Sequence, residues 1–251
     1  MSFTDNRYVS EIIFRREPRR DLYLKELPVV RYLKEKQRLE LDSPVTVFVG
    51  ENGTGKSTLI EAIAVCAGFN AEGGSKNFSF STNSTHSELC ECISLSRHNR
   101  HRDGFFLRAE SFYNVATDID RRDEEPSFDP PIIEGYGGVS LHRQSHGESF
   151  MAVVENRFFG NGLYILDEPE AALSPMRIMN LMVAINDLVK KNSQFIISTH
   201  SPILMTLPGA RIYQLSDNGI ERVSYKDTEH YQITKRFLED PERMLSYLLT
   251  D

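Results

Sequence analysis

The 251-residue sequence predicts an α/β fold: a mainly parallel sheet flanked by helices, with an antiparallel β portion and a small helical lobe. Three observations predict it. Val45–Val49 (VTVFV) is a short, unbroken run of β-branched and aromatic residues, as a strand buried on both faces should be, and it passes through a glycine loop into a segment of helical spacing. Two further apolar runs, Leu163–Leu166 and Phe195–Ser198, are equally short and end in polar residues. Strand-like and helix-like segments also alternate along the chain, the pattern of a parallel sheet covered on both sides.

The elements follow in order. Residues 8–14 (YVSEIIF) read as a strand, followed by a polar, basic stretch (RREPRRDLYLKELP) and a second strand-like run at Leu39–Leu41. After Val45–Val49, Lys56–Ala67 shows helical spacing through Leu59, Ile60, Ile63 and Val65. Residues 70–85 are rich in Gly, Ser and Asn and predict a surface loop. Glu88–Ser96 (ELCECISLS) alternates as a strand, and its expected partner across the basic turn RHNRHRD is Gly104–Ala109. Ser111–Asp120 predicts a short helix, DRRDEEPSFDPP an acidic loop, and Phe150–Phe159 a helix after the glycine-rich stretch Tyr136–Ser149. Pro175–Val189 predicts an amphipathic helix. Arg211–Tyr225 predicts a hairpin around Asp217-Asn218-Gly219, and Glu229–Leu249 a terminal helical region. The expectation is one domain over 1–251, with a small lobe over about 111–150 and a C-terminal hairpin and helix over 211–251. No internal repeat or extended coiled coil is visible.

Composition narrows the function. A formal net charge of −7 argues against a surface coated in basic residues, leaving room only for a local basic patch. No run of about 18 apolar residues predicts a membrane span, and the N-terminus lacks a signal-peptide layout. The three cysteines are odd in number, and Cys90 and Cys92 are too close along a strand for an ordinary disulfide. A reducing cytoplasm is the expected compartment.

Three motifs carry chemistry. Gly50-x-x-x-x-Gly55-Lys56-Ser57 is a phosphate cradle. Glu51, Asn52, Gly53, Thr54, Gly55, Lys56, Ser57 and Thr58 would turn backbone N–H groups and a helix N-terminus toward a nucleotide's phosphates. Lys56 would reach the β/γ oxygens and the Ser57 hydroxyl would bind Mg²⁺. Leu163–Glu168 (LYILDE) delivers two carboxylates to the carboxyl end of a strand, where ligands bind in open α/β sheets. Asp167 would hold Mg²⁺ and Glu168 would act on the attacking water. Phe195–His200 (FIISTH) places His200 at a third strand end, where it could bond the γ-phosphate or the water. The chemistry expected is Mg²⁺-dependent hydrolysis of ATP, with Lys56, Glu168 and His200 as the catalytic set.

In order and spacing these motifs resemble the ABC-type P-loop ATPases, which include transporter subunits and soluble SMC-like repair ATPases. Within that superfamily the chain is most similar to short soluble bacterial ATPases of the AAA-family group, through FLRAESF, SLHRQSHGESF, NGLYILDEPEAALSP and QFIISTHSPIL. The resemblance implies a signature loop at Ser145-His146-Gly147-Glu148, with Ser145, Gly147 and Glu148 matching and His146 standing where glycine is usual. It puts Glu110 at the position of the Q-loop glutamine, a Mg²⁺ contact, and Glu170–Ser174 (EAALS) at the D-loop. It also implies that Ser145, Gly147 and Glu148 act in trans, closing over ATP held by a second copy in a head-to-tail homodimer released by hydrolysis.

The partner on which that cycle acts stays open: DNA, a defence or regulatory effector, or the membrane subunit of a transporter. Only about ninety residues, without heptads, separate Ser57 from Ser145, which excludes long-armed SMC forms. The alternatives to turnover and dimerisation are a P-loop kinase acting on a small molecule and a nucleotide switch that does not hydrolyse. Arg15, Arg16, Arg19 and Arg20, and Arg97–Arg102, read chiefly as solvated basic patches. Cys90 and Cys92 with His86, His98 and His101 lack good zinc spacing. Tyr23 and Tyr32 lie at plausible distances for an adenine, but tyrosines are common and neither is assigned.

Overall fold

The computed structural model describes residues 7–75, 87–126 and 130–249. Of the predicted loop 70–85 only the part to Ser75 is described; His86 and residues 127–129 of the predicted acidic loop also lie outside the described residues. The strands are β1 (Glu11–Phe14), β2 (Arg38–Glu40), β3 (Val45–Gly50), β4 (Ile93–Ser96), β5 (Asp103–Arg108), β6 (Gly162–Asp167), β7 (Gln194–Ser198), β8 (Arg211–Ser216) and β9 (Gly219–Val223). The helices are α1 (Leu22–Glu26), α2 (Pro28–Lys36), α3 (Lys56–Ala67), α4 (Leu89–Cys92), α5 (Phe112–Glu124), α6 (His146–Arg157), α7 (Pro175–Lys190), α8 (Glu229–Glu239) and α9 (Pro241–Leu248).

A six-stranded sheet runs β5-β6-β7-β3-β8-β9, parallel through β8 and closed by the antiparallel β8–β9 hairpin. A smaller antiparallel sheet, β2-β1-β4, lies apart from it. The large sheet is buried on both faces, and its side chains divide by the two-residue period of a strand. Val45, Val47 and Val49 of β3, Tyr164 and Leu166 of β6, and Phe195 and Ile197 of β7 join one core with α5, α6 and α7. Phe48, Leu163, Ile165 and Ile196 face the other core, where α3 packs between the two sheets through Leu59, Ile60 and Ile63. Burying each of those three contributes about 1.5–3 kcal/mol. The buried amide of Gln194, at the start of β7, joins the chain entering the small sheet: its Oε1 accepts from Tyr8 N at 2.8 Å and Val9 N at 2.9 Å, and its Nε2 donates to Val9 O at 2.7 Å.

Several elements differ from expectation. The basic stretch before β2 is irregular only over residues 15–21, where its four arginines lie; two helices that the sequence did not announce follow. Asp21 caps α1 by accepting from Tyr23 N at 3.0 Å, Pro28 opens α2, and Leu24, Val29, Val30 and Leu33 are buried beneath the charged residues. Glu88–Ser96 is not one strand: Leu89–Cys92 makes a helical turn before β4, so Cys90 and Cys92 do not share a strand face. Nor do β4 and β5 form a hairpin. β4 pairs with β1 in the small sheet, whereas Phe105, Phe106 and Leu107 of β5 are buried on both sides and pair beside β6. An unbroken apolar strand needs two covered faces, which the six-stranded sheet supplies to β5. Helix α5 runs to Glu124, its last turn held by Arg122 Nε 2.6 Å from Asp118. Helix α6 begins at His146 rather than Phe150 because Ser145 and Glu148 form a capping box. Asp240 and Pro241 break the C-terminal helix in two.

Candidate active site

The strand order decides what meets what. β7 lies between β3 and β6, so the loops that leave these three strands emerge side by side at one edge of the sheet. The loop after β3 supplies the cradle. Gly50 (φ 144) lies against β8, where a Cβ would collide with the carbonyl oxygen of Leu215; Gly55 (φ 94) starts α3, where a Cβ would come within 2.5 Å of Val29 Cγ1. Both positions require glycine. Lys56 is buried at 4% exposure and donates to the carbonyls of Gly50 at 2.7 Å and Glu51 at 2.9 Å. Burial pushes its ammonium below the usual lysine range, opposed by the charges of Glu168, Asp167, Glu170 and Glu51. Thr54 Oγ1 donates to Glu51 O at 2.8 Å and tightens the loop. A cleft of about 130 Å³ is lined by Asn52, Gly53, Gly55, Lys56, Ser57 and Thr58, together with Glu168, Tyr23 and Leu27.

Asp167 ends β6 at 3% exposure. Its Oδ1 accepts from Ser198 Oγ of the neighbouring strand, and its Oδ2 lies 3.4 Å from Arg108 Nε. Burial raises the Asp167 carboxyl above its ordinary value, against the opposing pull of Ser198 and Arg108. The chain turns sharply at Glu168 (φ 49, ψ 53), a left-handed conformation unusual for a glutamate, where its N–H donates to Ser198 O at 3.1 Å and Ser198 Oγ at 3.2 Å. This turn aims the carboxylate at the cradle. His200 Nε2 lies 3.4 Å from Glu168 Oε1. Lys56, Ser57, Glu168 and His200 are thus brought to one place, with Asp167 beneath them.

Other predicted residues stand apart. Glu110 is exposed (side chain 78%) and its carboxylate lies 3.5 Å from Arg108 Nη2, one strand further along the edge. Ser145 and Glu148 bond each other, Oγ to Oε2 at 2.6 Å, and Glu148 accepts from Arg177 Nη2 at 3.2 Å; these bonds hold its carboxyl below the usual range. Gly147 packs on Arg177 and the Ala172 carbonyl, and His146 rests edge-on against the Tyr113 ring with its Nδ1 3.0 Å from the hydroxyl. None of Ser145, Gly147 and Glu148 lines the chain's own P-loop cleft.

Five contributors escape sequence reasoning. Ser198 links Asp167 to Glu168. Glu170, seen only as part of a D-loop stretch, accepts from Thr199 Oγ1 at 2.8 Å and from the His200 N–H. Arg108 lies between Glu61 (3.0 Å), Glu110 and Asp167. His230 of α8 places its Nε2 2.8 Å from His200 Nδ1. Tyr23 reaches the cleft on α1, a helix the sequence does not announce. The basic cluster is structural in part: Arg15 donates to Ser94 Oγ and Arg16 to Glu91, while the N–H groups of Arg19 and Arg20 donate to Glu88. Among the described residues no group of three His, Cys, Asp or Glu could hold a metal ion, and all three thiols are free. No helix of the described residues is long and apolar enough to cross a membrane.

The chain matches two protein-family models: "AAA domain" over residues 29–129, and "AAA domain, putative AbiEii toxin, Type IV TA system" over residues 139–206. No curated protein matches it. Among solved structures it is similar to the SMC head domain from Thermotoga maritima, at 17% identity over 87% of this chain and 100% of that one, with a TM-score of 0.45. It is also similar to CbiO1 from Clostridium perfringens, part of an ABC transporter complex, at 15% identity over 94% of this chain and 98% of that one, with a TM-score of 0.49. The AAA-domain matches, the cradle between β3 and α3, and the strand order together give the chain its similarity to the P-loop NTPases of ABC/AAA type.

Proposed function

We propose that this chain binds ATP with Mg²⁺ and hydrolyses it, and that ATP closes two copies head to tail. The observation that carries the reading is the position of Glu168. It lines the P-loop cleft together with Lys56 and Ser57, with His200 3.4 Å from its carboxylate. The backbone N–H groups of the cradle and the Lys56 ammonium bind the β- and γ-phosphates, Lys56 exchanging its present carbonyl partners for phosphate oxygens. Glu168 accepts the proton of the water that attacks the γ-phosphorus; as the new oxygen–phosphorus bond forms, the bond from the γ-phosphorus to the β–γ bridging oxygen breaks and ADP leaves with that oxygen. His200 bonds the γ-phosphate or the water from the neighbouring strand end.

The residues present suit a hard divalent cation: a buried carboxylate at Asp167 and a hydroxyl at Ser57, with Glu110 one strand further along. Asp167 and Ser57 would hold Mg²⁺, which would neutralise charge on the phosphates.

The signature residues support the dimer. Ser145, Gly147 and Glu148 sit at the start of α6, away from their own cleft, so a second copy is the route by which they reach a nucleotide. Among effector, DNA and transporter partners, the toxin–antitoxin description of the second matching model supports the defence or regulatory class. The test is phosphate release from ATP with Mg²⁺ and with chelator. Release that needs Mg²⁺ and falls at least 100-fold in Lys56→Ala supports the function, on the scale expected when a group acting in the transition state is lost. Phosphate appearing on an added small molecule rather than in solution would make the chain a kinase.

A further inference from the structure

We propose that His230, on α8, is a positioning residue for the hydrolysis reaction: its Nε2–H donates to Nδ1 of His200 and holds that ring as the tautomer protonated on Nε2. The inference rests on the reading of His200 as part of an ATPase site.

The geometry leaves few arrangements. His200 Nδ1 and His230 Nε2 are 2.8 Å apart, so one of them donates and the other accepts. His200 Nε2 lies 3.4 Å from Glu168 Oε1. An ionised carboxylate only accepts, so the proton of His200 belongs on Nε2. A neutral His200 then has a bare Nδ1, and the donor is His230. This leaves a bare nitrogen at His230 Nδ1, which is buried and has no hydrogen-bond partner. The reverse arrangement, a doubly protonated His200 donating to His230, would put an N–H at that buried position without an acceptor and add a cation beside Lys56. Burial, His200 and Lys56 all disfavour a charged His230, with Glu51 opposing them.

Two partners therefore pin His200. Glu170 holds its backbone N–H, and His230 holds the side of the ring turned away from Glu168. Which nitrogen of a histidine carries the proton is set by the bond its other nitrogen makes, and here that bond comes from a helix none of whose side chains is fully buried. A displacement of α8 would release the His200 ring.

The test is ¹⁵N NMR of the full chain labelled at histidine, at mildly alkaline pH, with signals assigned through His200→Gln and His230→Gln. The expected spectrum shows His200 protonated on Nε2 with Nδ1 bare and accepting. In His230→Phe the His200 signals become a tautomer mixture. In that variant kcat falls roughly 10- to 100-fold, the range seen when an outer partner fixing a histidine ring is removed, while KM for ATP changes little. His230→Gln, whose amide N–H can donate from a similar place, recovers part of the loss. A wild-type His200 protonated on Nδ1, or an unchanged tautomer and kcat in His230→Phe, would overturn the proposal. A wild-type chain without ATP turnover would count against the ATPase function instead, while the tautomer still decides the His230 contact.

Discussion

The carboxylate of Glu170 spans the turn after β7: one oxygen accepts the backbone N–H of His200 and the other accepts Thr199 Oγ1 at 2.8 Å. Thr199 Oγ1 in turn accepts from Ser201 N at 3.0 Å. The loop that carries His200 is thus held by the loop that carries Glu168, two residues upstream of Glu170. Hydrogen bonds to a charged acceptor contribute about 1.5–3 kcal/mol each. Glu170→Ala is expected to lower kcat roughly tenfold or more with ATP affinity little changed, because it displaces a positioned group without touching the cradle. Steady-state kinetics alongside equilibrium binding of ATP will separate the two effects; an equal fall in affinity would place Glu170 in nucleotide binding instead.

Tyr23 is 66% exposed yet lines the P-loop cleft beside Leu27. An aromatic ring held open to solvent at the proposed phosphate site suits the flat face of a base. Tyr23→Ala is expected to weaken ATP by about 1–3 kcal/mol, roughly 5- to 150-fold, as for other base–aromatic stacks. Binding of inorganic tripolyphosphate, which has no base, should not change. Calorimetric titration with both ligands checks this, and equal losses would assign Tyr23 to shaping the loop.

His230 gives the fold a pH dependence with a definite sign. Burial, His200 and Lys56 hold its pKa in the folded chain below 6.5, its ordinary value. At higher pH the ring is neutral in both folded and unfolded chains and costs nothing. As pH falls through about 6.5 the unfolded chain takes up a proton that the folded chain does not, so stability declines until the folded pKa is reached. The melting temperature of the wild type should therefore fall more steeply between about pH 7 and pH 5 than that of His230→Gln. Parallel curves would show that the folded environment leaves this histidine unperturbed.

Much of this site was legible because its elements are local. VTVFV, the glycines at 50 and 55 and the helical spacing after Lys56 specify strand, turn and helix within two dozen residues. The paired carboxylates and His200 announce themselves at strand ends. What escaped is non-local. Helices α1 and α2 bury Leu24, Val29, Val30 and Leu33 among so many charges that their helical spacing is hidden. The separation of β4 from β5 depends on which sheet has room for Phe105 and Phe106, which no short window contains. The bond between His200 and His230 joins residues thirty apart through a hairpin and a helix, so neither histidine's surroundings in sequence suggest the other.

The central claim, that Glu168 drives hydrolysis in a site two copies share, is tested most directly by measuring the size of Glu168→Gln in solution, by light scattering, with and without Mg²⁺ and ATP. The amide cannot accept the proton of the attacking water, so ATP should persist and lock the chain as a dimer, which Ser145→Arg added to the same variant should return to monomers. A Glu168→Gln protein that stays monomeric with ATP bound and turns ATP over at the wild-type rate would contradict the account.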